Sequence, residues 1–364
     1  MGEMIKLLDL GPEALKAELS QSLAQWEEKP FRARQVIRQV YQRCKLDFQD
    51  MTDLPAALRS NLAGTYLLQL LTPLERAVSA DGTVKTLWEL GDSARVESVA
   101  IPMEAGRRTF CLSTQTGCGL GCSFCATGKL GAGRNLSAGE IICQALAGIA
   151  ETSLSSGPRV DGSERTSSPN LVFMGMGEPL LNYDNLKTAL EVLNHPELAQ
   201  VGSRRITVST VGLPEQIVRF CRDFPQMKLA VSLHAATESL RRTLMPVAGK
   251  VSLSDLVEAC REANLITGKR ITFEYLVIPG VNDRQEDIQA LARLCGLVPS
   301  KINLIGLNPA EGVPFRPPRA AELARFRDRL SSACSMAVTL RRSHGADIAG
   351  ACGQLAAGQA PRRR

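Results

Sequence analysis

The chain has 364 residues, enough for one large α/β domain and a smaller companion, and its 44% hydrophobic content supplies an ordinary globular core. It carries 43 Lys and Arg against 37 Asp and Glu, a modest net charge of +6. No stretch approaches the ~20 apolar residues of a membrane span, and charged residues interrupt the opening MGEMIKLLDLG where a signal peptide would need an apolar run. Membrane and secreted roles are therefore set aside. The chain is expected in the cytoplasm with its eleven cysteines reduced.

Residues 1 to about 70 read as helical, with apolar spacing in PFRARQVIRQVYQRC and LPAALRSNLAGTYLL and no strand-like alternation. They predict a small helical domain over residues 1–75. VKTLWELGDSARVESVAI, residues 84–101, reads as a hairpin turning at Gly91 and Asp92, inside a linker over 76–109. From residue 110, apolar strands predicted at 110–114, 170–174, 205–210, 228–233, 271–277 and 301–307 alternate with helical segments. Ser137 and Glu140 form a capping box for the first of these helices. The following Ser- and Gly-rich run, residues 153–168, reads as a mobile surface insertion. The main domain spans 110–342, and a flexible tail over 343–364 carries Cys352.

Conspicuous polar residues fall just after the predicted strands: a cysteine loop, GMGEP, Ser209, Ser232 with His234, and Asn308. Convergence on the carboxyl ends of parallel strands predicts a (β/α)6 partial barrel of TIM type. A doubly wound sheet is the alternative architecture.

Cys118, Cys122 and Cys125 lie in CLSTQTGCGLGCSFCATG with C-x3-C-x2-C spacing. Three thiolates can hold three corners of a 4Fe-4S cube and leave one iron open, whereas an electron-transfer cluster takes four cysteines. An open iron can chelate S-adenosylmethionine (SAM) and reduce its sulfonium. A zinc knuckle is the rival reading, but it needs a fourth ligand, and the chain has only three histidines and no second C-x2-C pair. In GMGEP, residue 180 is Leu where a dinucleotide fingerprint needs glycine, so this turn reads as one that brings backbone close to a ligand.

Cys44, Cys143, Cys221, Cys260, Cys295 and Cys334 read as small buried hydrophobes. Cys111 ends a strand, and Cys352 sits in a glycine-rich segment that suits a reactive thiol. Basic residues come in groups, among them Arg32, Arg34 and Arg38, then Arg204 and Arg205, Arg241 and Arg242, Lys269 and Arg270, and Arg341 and Arg342. Each pair alone is a solvated face; together they fit an anionic partner such as RNA.

These runs resemble the radical SAM RlmN/Cfr family of RNA methyltransferases. The resemblance extends over nearly the whole chain, through FRARQVIRQVY, MTDLP, VESVAIP, CLSTQTGCGLGCSFCATG, FMGMGEPLLN, VSLHA, EYLVIPGVND, LIGLNP and ACGQLA. It implies a helical RNA-binding domain ahead of the partial barrel, and a 4Fe-4S cluster held by Cys118, Cys122 and Cys125. It implies SAM contacts at Gly177, Glu178, Ser209, Ser232, Leu233, His234 and Asn308. Cys352 matches the methyl carrier, Cys111 its resolving partner and Glu97 a proton acceptor. The implied reaction is methylation of adenosine C2 in 23S rRNA and tRNA by a monomer supplied with electrons by a donor such as flavodoxin; Cfr relatives modify C8. Ala132 stands where relatives commonly carry an aromatic. A metal-containing RNA-binding protein without activity is the reading from another class.

Replacing Cys118, Cys122 and Cys125 together by alanine should abolish the brown visible absorbance of the reconstituted protein. Persistence of that absorbance would remove the ligand assignment.

Overall fold

A computed structural model describes residues 4–155, 169–246 and 250–358. Most of the Ser-rich run, 156–168, and the terminal PRRR lie outside them.

The amino-terminal part forms the expected helices: α1 (Pro12–Gln25), with Pro12 at its first turn, α2 (Phe31–Ile37), which runs on into a wider turn over Arg38–Gln42, and α3 (Ala56–Thr65). Leu15, Leu19 and Leu23 of α1 meet Val36, Leu58 and Leu62 in one buried core. Two strands of two residues each, β1 (Ile5–Lys6) and β2 (Tyr66–Leu67), pair in parallel across it. Two residues are too few to leave a periodic trace in sequence. The unit is pinned to the rest by Asp9, whose Oδ1 accepts the Gly139 N–H at 2.7 Å. A Cβ on Gly139 would come within 2.5 Å of Leu70.

A ten-stranded sheet makes up the remainder. β3 (Leu71–Val78), β4 (Val84–Leu90), β5 (Arg95–Pro102) and β6 (Arg108–Cys111) run antiparallel. The hairpin expected over 84–101 is β4 and β5. It gains β3 on one side and β6 on the other, so it is continuous with the main sheet. β3 begins at Leu71, inside the stretch read as helical. Its side chains are nearly all exposed and it is bulged between Pro73 and Glu75, as suits an edge strand, which erases the two-residue alternation.

From β6 onward the pairing is parallel, through β7 (Asn170–Phe173), β8 (Ile206–Thr210), β9 (Lys228–Ser232), β10 (Ile271–Val277), β11 (Ser300–Gly306) and β12 (Val338–Arg341). The cysteine loop after β6 leads into a short α4 (Ala126–Leu130). Crossovers follow through α5 (Ala138–Ser155), α6 (Tyr183–Asn194), α7 (Pro214–Asp223), α8 (Glu238–Leu244) with α9 (Leu253–Thr267), α10 (Gln285–Gly296) and α11 (Ala320–Ala333). The strand order is strictly sequential. A doubly wound sheet would reverse order part-way; here every crossover advances in the same direction, so the sheet curls into a partial barrel whose edges, β12 and β3, do not meet. β12 was not anticipated. It has four half-exposed or exposed residues and no apolar alternation.

The Ser137 box forms as expected: Ser137 N–H donates to Glu140 Oε2 at 2.9 Å and Glu140 N–H to Ser137 Oγ at 3.2 Å. Among the described residues no helix is long and apolar enough to cross a membrane.

Gly148 on α5 lies over Phe110 of β6, where a Cβ would sit 2.6 Å from the ring. Alanine gains up to about 1 kcal/mol of helix propensity, and overpacking costs about 1–3 kcal/mol. Gly148→Ala should therefore lower stability by about 1 kcal/mol in urea unfolding; a gain would show that Phe110 yields freely.

Candidate active site

The parallel strands deliver their loops to one rim, above which lies a cavity of about 940 Å³ including its open mouth. Cys118, Cys122, Cys125, Gly177, Glu178, Ser209, Ser232, His234 and Cys352 line it. A second cavity of about 650 Å³ is lined by Cys111, Asn308 and Arg341, and shares Cys125 and Cys352 with the first. Leu233 is buried beside His234 and lines neither. Nor does Glu97 line either cavity.

The cysteine loop is held at both ends. Cys118 N–H donates to Gly131 O at 2.9 Å, across a contact so close that a Cβ on Gly117 would lie 2.6 Å from the same oxygen. Ser123 donates through its N–H and its hydroxyl to Leu244 O at the end of α8. Burial pushes the Cys118 thiol up to about 11 and raises Cys122 and Cys125 as well, and each of the three also feels a neighbouring thiol.

The GMGEP turn packs against the residues after β6. A Cβ on Gly175 would meet Leu112 O and Ser113 Oγ at 2.7 Å, and Gly177 combines φ +96° with a 2.5 Å approach to Gln115. Only glycine fits either place. Glu178 uses its side chain internally: Oε2 accepts Val211 N–H at 2.8 Å and Oε1 accepts Leu180 N–H at 3.1 Å. Burial pushes its carboxyl up to about 7. The carboxylate thus fastens the turn to the end of β8 and leaves Gly177 backbone facing the cavity.

At the ends of β8 and β9, the Ser209 and Ser232 hydroxyls lie 3.5 Å apart. His234 adopts φ +55°, and its Nδ1 accepts Leu276 N–H at 3.1 Å, which puts the ring proton on Nε2. Burial lowers the imidazole to about 3, so it is neutral. Asn308 Nδ2 donates to Cys352 O at 3.2 Å.

Residues 343–358, expected to hang free, pack over the rim instead. Cys352 is half-buried, and Ala126 N–H donates to Gly353 O at 2.8 Å, joining the tail to the cysteine loop. Cys111 is buried, and desolvation, followed by the nearby Cys352, pushes its thiol up to about 12. All eleven cysteines are free thiols, and of the six read as buried hydrophobes, Cys44 and Cys334 are half-buried.

Two side chains were misplaced by sequence. Arg341, counted with the surface basic pairs, ends β12 inside both cavities, where the Cys352 thiol is the leading influence holding it charged, with Glu274 and Cys111 adding to it. With β12 unseen, nothing marked this arginine as lying on the rim. Arg241, also assigned to the surface, is 1% exposed and donates to Val211 O at 2.6 Å. Glu274, a cavity residue not anticipated, is buried within β10 and accepts both oxygens' bonds from Asn303 Nδ2, at 3.1 and 2.9 Å.

Residues 112–295 match the radical SAM superfamily, and residues 5–67 match the ribosomal RNA large subunit methyltransferase N-terminal domain. A dual-specificity RNA methyltransferase RlmN from Anaeromyxobacter dehalogenans is 46% identical over 350 residues, covering 94% of this chain and 90% of that protein. The chain belongs to the RlmN family. A probable RlmN from Moorella thermoacetica is 45% identical, with 94% and 95% covered. The crystal structure of a radical SAM methyltransferase from Sphaerobacter thermophilus superposes with a TM-score of 0.88 at 41% identity, covering 97% of this chain and 99% of that one.

Membership of the RlmN family implies SAM and a 4Fe-4S cluster, and the donor set fits them. Cys118, Cys122 and Cys125 line one cavity, and three thiolates there would hold three irons of a cubane and leave the fourth open. Protons held high by burial are displaced when a cationic metal centre takes their place.

Gly177→Ala should leave a folded protein whose affinity for SAM, measured by calorimetry, falls at least about tenfold, because a positive φ and the Gln115 contact both oppose a side chain. Unchanged affinity would detach this turn from SAM binding.

Proposed function

We propose that this chain methylates C2 of an adenosine in 23S rRNA and in tRNA, with Cys352 as methyl carrier and Cys111 as the thiol that releases the product. The observation that carries the reading is that Cys352 lines both cavities, one shared with the cysteine triplet and the other with Cys111. A carrier must reach both.

Adenine C2 lies between two ring nitrogens and is electron-poor, so it does not attack a sulfonium directly. Cys352 sulfur can, forming a C–S bond as the donor's breaks. Arg341 lines the same two cavities as Cys352. When bound, the cluster and SAM supply the one-electron chemistry that takes a hydrogen atom from the S-methyl group. The carbon on Cys352 then joins C2, tethering RNA to protein. After the C2 proton leaves and the adduct's unpaired electron is given up to the one-electron chemistry that a bound cluster would supply, Cys111 attacks Cys352 sulfur and a disulfide forms. The sulfur–carbon bond to the base breaks with its electron pair on the carbon, which takes up a proton and becomes the methyl group. The resemblance offers Glu97 as proton acceptor; to act so, its carboxylate must first release the two N–H groups it holds, those of Ala356 and Ala357. RNA contact falls to the helical domain, where Arg34 and Arg38 remain exposed. The electron donor is a small redox protein such as flavodoxin, and the active unit is the monomer.

Cys352→Ala should yield no methyladenosine when RNA is incubated with reconstituted enzyme and its nucleosides are analysed by mass spectrometry; methylated product would refute the carrier role, and the 8-methyl isomer would move the reading to C8. Cys111→Ala should accumulate a protein–RNA crosslink, and recovery of free protein alone would refute the resolving step. A thiol held near 12 carries little thiolate at pH 7, so in the wild type release of RNA should quicken from pH 7 to 9, by up to about tenfold per unit.

A further inference from the structure

We infer that Glu97 is a positioning residue: its carboxylate latches the carboxyl-terminal strap, and with it Cys352, over the two cavities. The strap is fastened at each residue from 352 to 357. Cys352 O takes its bond from Asn308, Gly353 O from Ala126 N–H, and Leu355 O from the Thr127 hydroxyl at 2.7 Å, while Gln354 Nε2 donates to Pro309 O at 2.7 Å. These partners are neutral. The last fastening differs, since Ala356 and Ala357 both donate to Glu97 Oε2, at 2.8 and 2.9 Å. Charge-assisted bonds of this kind are about twice as strong as neutral ones.

Glu97 is only 2% exposed, and a carboxylate so buried is tolerated only when its oxygens are satisfied. Lys85 Nζ supplies the third bond, 2.9 Å from Oε1. The main chain of Glu97 faces the opposite task. Its carbonyl accepts the Ser113 hydroxyl at 2.5 Å, and that hydroxyl oxygen accepts Met176 N–H at 2.8 Å, inside the GMGEP turn. One residue therefore ties the strap to the turn on which SAM is proposed to rest. The consequence for methyl transfer rests on the reading of Cys352 as carrier; the latch itself does not.

The test is the rate at which iodoacetamide alkylates Cys352 in the full chain without its cluster, read by mapping tryptic peptides, with half-buried Cys334 as the internal reference. Glu97→Ala should raise the Cys352 rate at least about tenfold while Cys334 stays constant. Glu97→Gln keeps shape and one acceptor but loses charge, and should raise it about threefold. Where the alanine variant does not fold, the glutamine variant alone decides. A Cys352 rate within twofold of wild type in the glutamine variant, and in the alanine variant if it folds, overturns the latch. In that event, equal loss of RNA methylation in both variants would assign the carboxylate to proton transfer. Because alkylation reads the strap whatever Cys352 does in turnover, failure of the latch and failure of the carrier reading give different results.

Discussion

Parallel pairing in strict sequential order is the constraint from which the active rim follows. Seven strands from β6 to β12 point the same way, so seven carboxyl ends face one side and seven loops converge there. The cysteine loop, the GMGEP turn, the serines of β8 and β9, and Arg341 of β12 come from points spread over more than two hundred residues of sequence. No local interaction could gather them. The sheet does so through backbone hydrogen bonds that are indifferent to side-chain identity, which leaves the rim residues to be chosen for chemistry.

Within that rim, buried polar groups are fastened in pairs and chains. Glu178 is consumed by two backbone N–H groups, Glu274 by Asn303, and His234 by Leu276. Glu178 and His234 each tie a rim loop to a neighbouring strand end, and Glu274 ties β10 to β11. Arg341 differs, since the thiol of Cys352 and the Cys111 thiol lie close to its guanidinium. Low dielectric makes such placement expensive when unpaired and influential when paired.

Much of this was legible in the amino-acid order. Five of the six predicted strands fall within about one residue of those found, because buried parallel strands write continuous apolar runs. The first, predicted over 110–114, stops at Cys111 and gives way to the cysteine loop. What stayed hidden was short, exposed or nonlocal. β3 and β12 are edge strands whose solvent-facing side chains obey no period. Arg341 and Arg241 looked like members of surface pairs because charge in sequence carries no sign of burial. The tail looked free because glycine and alanine suit mobile chain and close packing equally; only the positions of Glu97, Thr127 and Asn308 reveal which.

The barrel's unpaired edges set how a ligand can arrive. A closed barrel admits only what fits down its axis, whereas here the strand order ends at β12, and beyond it the cover is the strap that crosses to the β3–β4 turn, where Ser79 and Ala80 donate to Asp347. A nucleobase attached on both sides to a polymer cannot thread a ring. It can be swung out of its stack and presented sideways, and an unclosed sheet offers that approach without any strand having to part.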